Sequence, residues 1–372
     1  MAQLDIFDFL PDWEKYKPIK STDWKWTMAN DYPKEKNGLK VFSCFACGGG
    51  STMGYKLAGC DVVGCCEIDP KMNEVYIKNH HPKHNFLMDI RDFNKLDTPP
   101  EELFDLDILD GSPPCTTFSV AGDREESWGK KKKFREGQAE QTLDDLSFVF
   151  IETVAKLRPK VMIMENVEGL IKGEAWSYVQ KIYKQLHDIG YQVKHWLLKG
   201  QYMGVPQTRH RTIFVAVRND IDIDLETLDM SFNYEPILYG EIKEGEGEKM
   251  NEETVMYKWL CKAEECDKRI GDTLVRLGEK EKFFNERIHW ENNMVQTVTC
   301  SAGMYRGKEK TRVSCEDIIN ASTFPRDYDF INRTRHKVQY ICGMSVPPIM
   351  MKRVVTRLIE SGLFDYKLRK RG

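Results

Sequence analysis

The run Val161-Met162-Ile163-Met164 offers no polar residue to either face of a strand, so the sheet it joins must be covered on both sides. Similar runs recur at Leu39 to Phe45, Asp61 to Cys66, Phe86 to Met88, Leu106 to Leu109 and Thr212 to Val217. Helical patterns at Leu143 to Leu157 and Trp176 to Leu186 alternate with them. Buried strands alternating with helices predict an α/β fold built on a doubly wound, mainly parallel sheet. Such sheets bind ligands at the carboxyl ends of their strands, so the residues that end each run are the candidates for chemistry.

Three of these ends carry reactive groups. Pro113-Pro114-Cys115 follows the fourth run, Glu165-Asn166-Val167 follows Met164, and Gln207-Thr208-Arg209-His210-Arg211 precedes Thr212. A lone cysteine is usually a small buried hydrophobe. Two prolines before Cys115 stiffen the chain and suit a sharp exit from a strand, which presents one thiol rigidly. A thiol, a carboxylic acid and a guanidinium together suit addition to an electron-poor ring: the thiolate attacks, the acid protonates and the guanidinium holds an oxygen. Which of Arg209 and Arg211 meets the substrate is left open by the sequence, because alternation on a strand would aim both at one face.

The first run leads through Gly48-Gly49-Gly50 into a helix, the opening of a nucleotide-binding α/β fold. Glu67, at the end of the second run, lies about twenty residues beyond the glycines, where a ribose partner is expected. Asp89 ends the third run and suits an adenine amino group. No P-loop lysine follows the glycines.

In order and spacing these segments, with the block Glu316 to Tyr328 and Gly343-Met344-Ser345-Val346-Pro347, resemble the C5-cytosine DNA methyltransferase family from about Leu39 to Gly362. The resemblance implies S-adenosylmethionine as cofactor, held by Phe45, Gly48, Gly49, Gly50, Glu67, Ile68, Asp89, Ser345 and Val346. It implies Cys115 as nucleophile, Glu165 as acid, and Arg211 with Arg209 at the base of a cytosine flipped from duplex DNA. Ser119, Lys130, Lys131, Lys132, Lys133 and Arg135 are the expected DNA contacts, the basic run closing over the duplex; a solvated loop is the plainer reading of that run. Cys47 stands at the family's first loop glycine, Ser51 at an apolar position, Thr116 at a glutamine, His210 at a glutamate and Met344 at an asparagine. Two alternatives remain: the same chemistry on structured RNA, and a DNA-binding regulator that has lost catalysis.

The 372 residues suggest about two domains. We expect an amino-terminal extension over 1–38 packed on the core, a catalytic and cofactor-binding domain over 39–219, and a smaller target-recognition domain over 220–293, or to about 330. A segment over 294–372 returns to the catalytic domain. The net charge of −3 does not indicate a polybasic binding mode, and eleven cysteines without paired spacing argue for a reducing compartment and no disulfide framework. No metal is assigned. With neither a bilayer-length apolar stretch nor a signal peptide, the expectation is a cytoplasmic monomer, nucleoid-associated in a prokaryote, with a cognate restriction endonuclease as partner.

Overall fold

The computed structural model describes residues 17–114, 146–283 and 285–365. Cys115, Ser119, Lys130 to Lys133 and Arg135 lie outside the described residues. A short helix α1 (Met28–Asp31) precedes the alternating core: β1 (Lys40–Cys44), α2 (Gly50–Leu57), β2 (Asp61–Glu67), α3 (Pro70–His80), β3 (His84–Leu87), α4 (Ile90–Asn94) and β4 (Ile108–Gly111). It continues with α5 (Leu146–Leu157), β5 (Val161–Val167), α6 (Trp176–Asp188), β6 (Tyr191–Lys199) and β7 (His210–Arg218).

These seven strands form one sheet in the order β3-β2-β1-β4-β5-β7-β6. The neighbours from β3 to β5 pair in parallel, whereas β7 runs antiparallel to both β5 and β6. The fold is therefore the doubly wound α/β type, with its switch point between β1 and β4. The register sets Ser43 beside Asp110 and Val167 beside Arg211. Every residue from Val161 to Met164 is fully buried, as an apolar run between two helical layers requires. Where one face of the sheet meets α5 and α6, the core contains Phe42, Phe150, Met162, Met164, Ile182 and Phe214.

The opposite face is closed by the end of the chain. After α7 (Tyr239–Ile242), α8 (Val255–Cys261) and α9 (Ile270–Arg276), strands β8 (Glu286–His289), β9 (Gly303–Arg306) and β10 (Thr311–Arg312) make a second sheet of three strands, ordered β10-β9-β8. Its own small core holds Leu260, Ile270, Ile288, Trp290 and Tyr305. Helices α10 (Cys315–Ala321), α11 (Arg335–Met344) and α12 (Pro348–Glu360) then return to the large sheet. Helix α12 presses on α2 so closely that a Cβ at Gly54 would come within 2.6 Å of Met351 Cβ. Trp24 and Trp26 of the extension are buried in this same cluster with Val41, Met351 and Val355.

Candidate active site and cofactor cavity

A cleft partly open to solvent lies at the carboxyl ends of β1 to β4 and is lined in part by Phe45, Cys47, Glu67, Ile68, Met88 and Asp89. Ser112, Pro114, Leu146, Tyr340 and Met344 line it as well. Glu67 ends β2 with its carboxylate fixed from two sides: Cys47 N donates to Oε2 at 2.7 Å and Asp69 N to Oε1 at 2.8 Å. Burial pushes its pKa up, against the pull of those backbone donors. Asp89 caps the amino terminus of α4 by accepting from Arg91 N at 2.8 Å. An acid thus lies at the end of β2, another just beyond β3, and apolar side chains lie between them.

The glycines and the Ser345–Val346 segment do not line this cavity; they pack behind it. Gly49 has φ +80, and a Cβ there would come within 2.0 Å of His80 Nε2. At Gly50 a Cβ would meet the Val346 carbonyl oxygen at 2.1 Å. The loop is glycine-rich because His80 and the chain's far end press against it, a demand separate from ligand approach. Cys47 adopts φ +47, a left-handed conformation that favours glycine. Its half-buried thiol is pushed up to about 12, chiefly by desolvation and then by the charge of Glu67, so it is a neutral neighbour of that acid.

One strand beyond β4, at the end of β5, Glu165 forms an ion pair with Arg211, whose Nε lies 2.6 Å from Glu165 Oε1. Both side chains are largely buried, 10% and 14% exposed, so solvent screens the pair weakly. The antiparallel pairing of β5 with β7 brings them together. Arg209 lies just before β7 and takes another direction: it is buried and donates to the carbonyls of Val298, Gly343 and Ser345 at 3.0–3.3 Å. Burial lowers its pKa to about 9, where it is still cationic at neutral pH. It joins the approach to β7 to the segment that backs the glycine loop.

Asn166, beside Glu165, donates from Nδ2 to the Pro113 carbonyl at 3.3 Å. The end of β5 is thereby tied to the segment that leads into Cys115. Beneath that segment Asp110 is buried, accepting from Ser43 Oγ at 2.7 Å and Tyr55 Oη at 3.0 Å. Burial raises its pKa to about 7; the two hydroxyls oppose the rise and the charge of Glu165 adds to it. Sequence reasoning passed over Asp110, Asn166 and Tyr340. The available signals were an acid inside an apolar run, an amide next to a proposed acid, and an aromatic one helical turn before Met344.

The C-5 cytosine-specific DNA methylase family model matches residues 39–360. The chain belongs to that family, and its reaction class is DNA cytosine-5 methylation. Members of the family are generally S-adenosylmethionine-dependent. The chain is 28% identical over 336 residues to the type II methyltransferase M.Eco47II of Escherichia coli, across 84% of this chain and 76% of the relative. It is 32% identical over 182 residues to the type II methyltransferase M.HindV of Haemophilus influenzae, across 49% of this chain and 54% of that one. A Spodoptera frugiperda DNMT2 mutant shares the fold with a TM-score of 0.60 at 17% identity, across 87% of this chain and all of that one. Among the described residues no helix is long and apolar enough to cross a membrane.

Proposed function

We propose that this chain methylates carbon 5 of a cytosine flipped out of duplex DNA, with Cys115 as nucleophile, Glu165 as acid and Arg211 as the oxygen-binding cation. The observation that carries the proposal is the Glu165–Arg211 pair, whose neighbour Asn166 bonds to the carbonyl of Pro113, the residue before the cavity-lining Pro114. In this reading the Cys115 thiolate adds to C6, Glu165 gives a proton to N3 and Arg211 steadies the O2 oxygen, so the electron pair gathers at C5. After alkylation, loss of the C5 proton returns the electron pair that expels the thiolate.

An acid-lined, partly apolar cavity fits an adenosine that carries a cationic sulfonium, and S-adenosylmethionine bound there would supply an electrophilic methyl group. Glu67 would hold the ribose, Asp89 the adenine amino group, and Phe45 and Ile68 the faces of the base. The type II names of the relatives support a cognate endonuclease as functional partner, and we extend the reading to a monomer that acts on cytoplasmic DNA.

Duplex DNA with 5-fluorocytosine at the target tests the reaction, because fluorine cannot leave as a proton does. The reading expects a covalent adduct with the protein, lost in Cys115→Ala, and 5-methylcytosine within one enriched motif on plasmid DNA. An adduct that persists in the alanine variant removes Cys115 from its role. Methylation of structured RNA alone would replace DNA as substrate.

A further inference from the structure

We infer that Tyr328 is a positioning residue for the cofactor loop, and that the amino-terminal extension, which precedes the family-matched region, holds Tyr328 in place. The inference rests on the proposed S-adenosylmethionine site. Tyr328 Oη donates to the Gly48 carbonyl at 2.6 Å, and His80 Nε2 lies 3.3 Å from the same oxygen. Burial lowers the His80 pKa to about 3, so its ring is neutral. It can donate to Gly48 only in the tautomer with hydrogen on Nε2. One carbonyl is therefore gripped from α3 and from the turn after α10, and both grips are buried.

That carbonyl belongs to the residue after Cys47, whose backbone N–H fixes Glu67. Cys47 precedes it at φ +47, a conformation that a non-glycine residue in an unrestrained loop would readily leave. Displacing Gly48 displaces the donor that orients Glu67.

The Thr323–Tyr328 turn is in turn fastened to the extension. Trp26 Nε1 donates to the Thr323 carbonyl at 2.8 Å, and Arg326 N donates to the Trp26 carbonyl at 3.0 Å. The Asp327 carboxylate accepts from Met28 N at 2.8 Å and Ala29 N at 3.0 Å, the donors at the start of α1. On the far side of Tyr328, Asn79 and Asp329 exchange two hydrogen bonds of 2.9 Å, which lock the turn to the helix that carries His80. Four bonds of the extension thus meet on the turn that grips the cofactor loop.

Two conservative variants of the full chain test this. Tyr328→Phe removes the hydroxyl and keeps the ring packed on Phe324 and Phe330; Trp26→Phe removes the indole donor. Calorimetric titration with S-adenosylmethionine is expected to show affinity weaker by about tenfold in the first and about threefold in the second, the span of one net hydrogen bond. Affinity for target duplex should change less than twofold in both. Cofactor affinity within twofold of wild type in both variants overturns the inference. Equal weakening toward cofactor and DNA also overturns it, because the extension is then general scaffold. If the wild-type protein fails to bind S-adenosylmethionine, the cofactor reading itself falls.

Discussion

Replacing Asp110 by asparagine should change how the stability of this protein depends on pH. In the fold the Asp110 carboxyl is pushed from its ordinary 3.8 to about 7 by burial. Between those values the folded chain holds a proton that the unfolded chain has released, so stability falls as pH rises from about 4 to about 7. A shift near three pH units corresponds to at most about 4 kcal/mol of stability, fully present below the unfolded value and lost above the folded one. Asparagine keeps the shape and one acceptor but never ionises. The Ser43 hydroxyl, which now donates to Oδ2, can turn to accept from the new amide. Urea unfolding of both proteins from pH 4.5 to 8.5 isolates the effect, because other titrating groups largely cancel in the difference. The asparagine variant should gain on the wild type steadily up to about pH 7 and then level off. A difference that is flat across the range would show that Asp110 is ionised in the fold throughout, and would refute the argument from burial.

Gly49→Ala should lower stability by at least about 2 kcal/mol, because it combines a left-handed backbone with a methyl group 2.0 Å from His80 Nε2; an unchanged melting temperature would contradict this. Met344 lines the cavity where the family usually has asparagine, so Met344→Asn should tighten S-adenosylmethionine binding by roughly 0.5–1.5 kcal/mol. Calorimetry decides it, and weaker binding would mean that the site is rebuilt around the thioether.

The large sheet was legible because burial on both faces leaves apolar runs with no polar alternation, and Val161 to Met164 is the clearest of them. The small sheet was not, because β8, β9 and β10 are short and share their core with α8 and α9, so no strand period stands out. Glu67 and Asp89 were readable as residues that end strands. The division of labour between Arg209 and Arg211 was not, since it depends on Arg209 falling just before β7 and on where the carbonyls of residues 298, 343 and 345 come to lie. Cys47 reads as a lost glycine in sequence, whereas in the fold it retains the left-handed backbone of one. Asp110 was hidden by its neighbours, because an acid inside an apolar strand gives no periodic sign that two hydroxyls wait for it.

The reversed direction of β7 decides more than the order of the sheet. Its nine residues, eight steps of about 3.3 Å, put its two ends about 26 Å apart, on opposite rims. Had β7 run with its neighbours, the rim beside Glu165 would have received the residues around Arg218, and Arg211 would face the far side. A strand that enters where its neighbours leave delivers its first side chains to the place where theirs end. Strand polarity is thus itself a chemical variable here: with the same amino acids laid in the other direction, Arg211 would lie at the opposite rim from the acid it now pairs with.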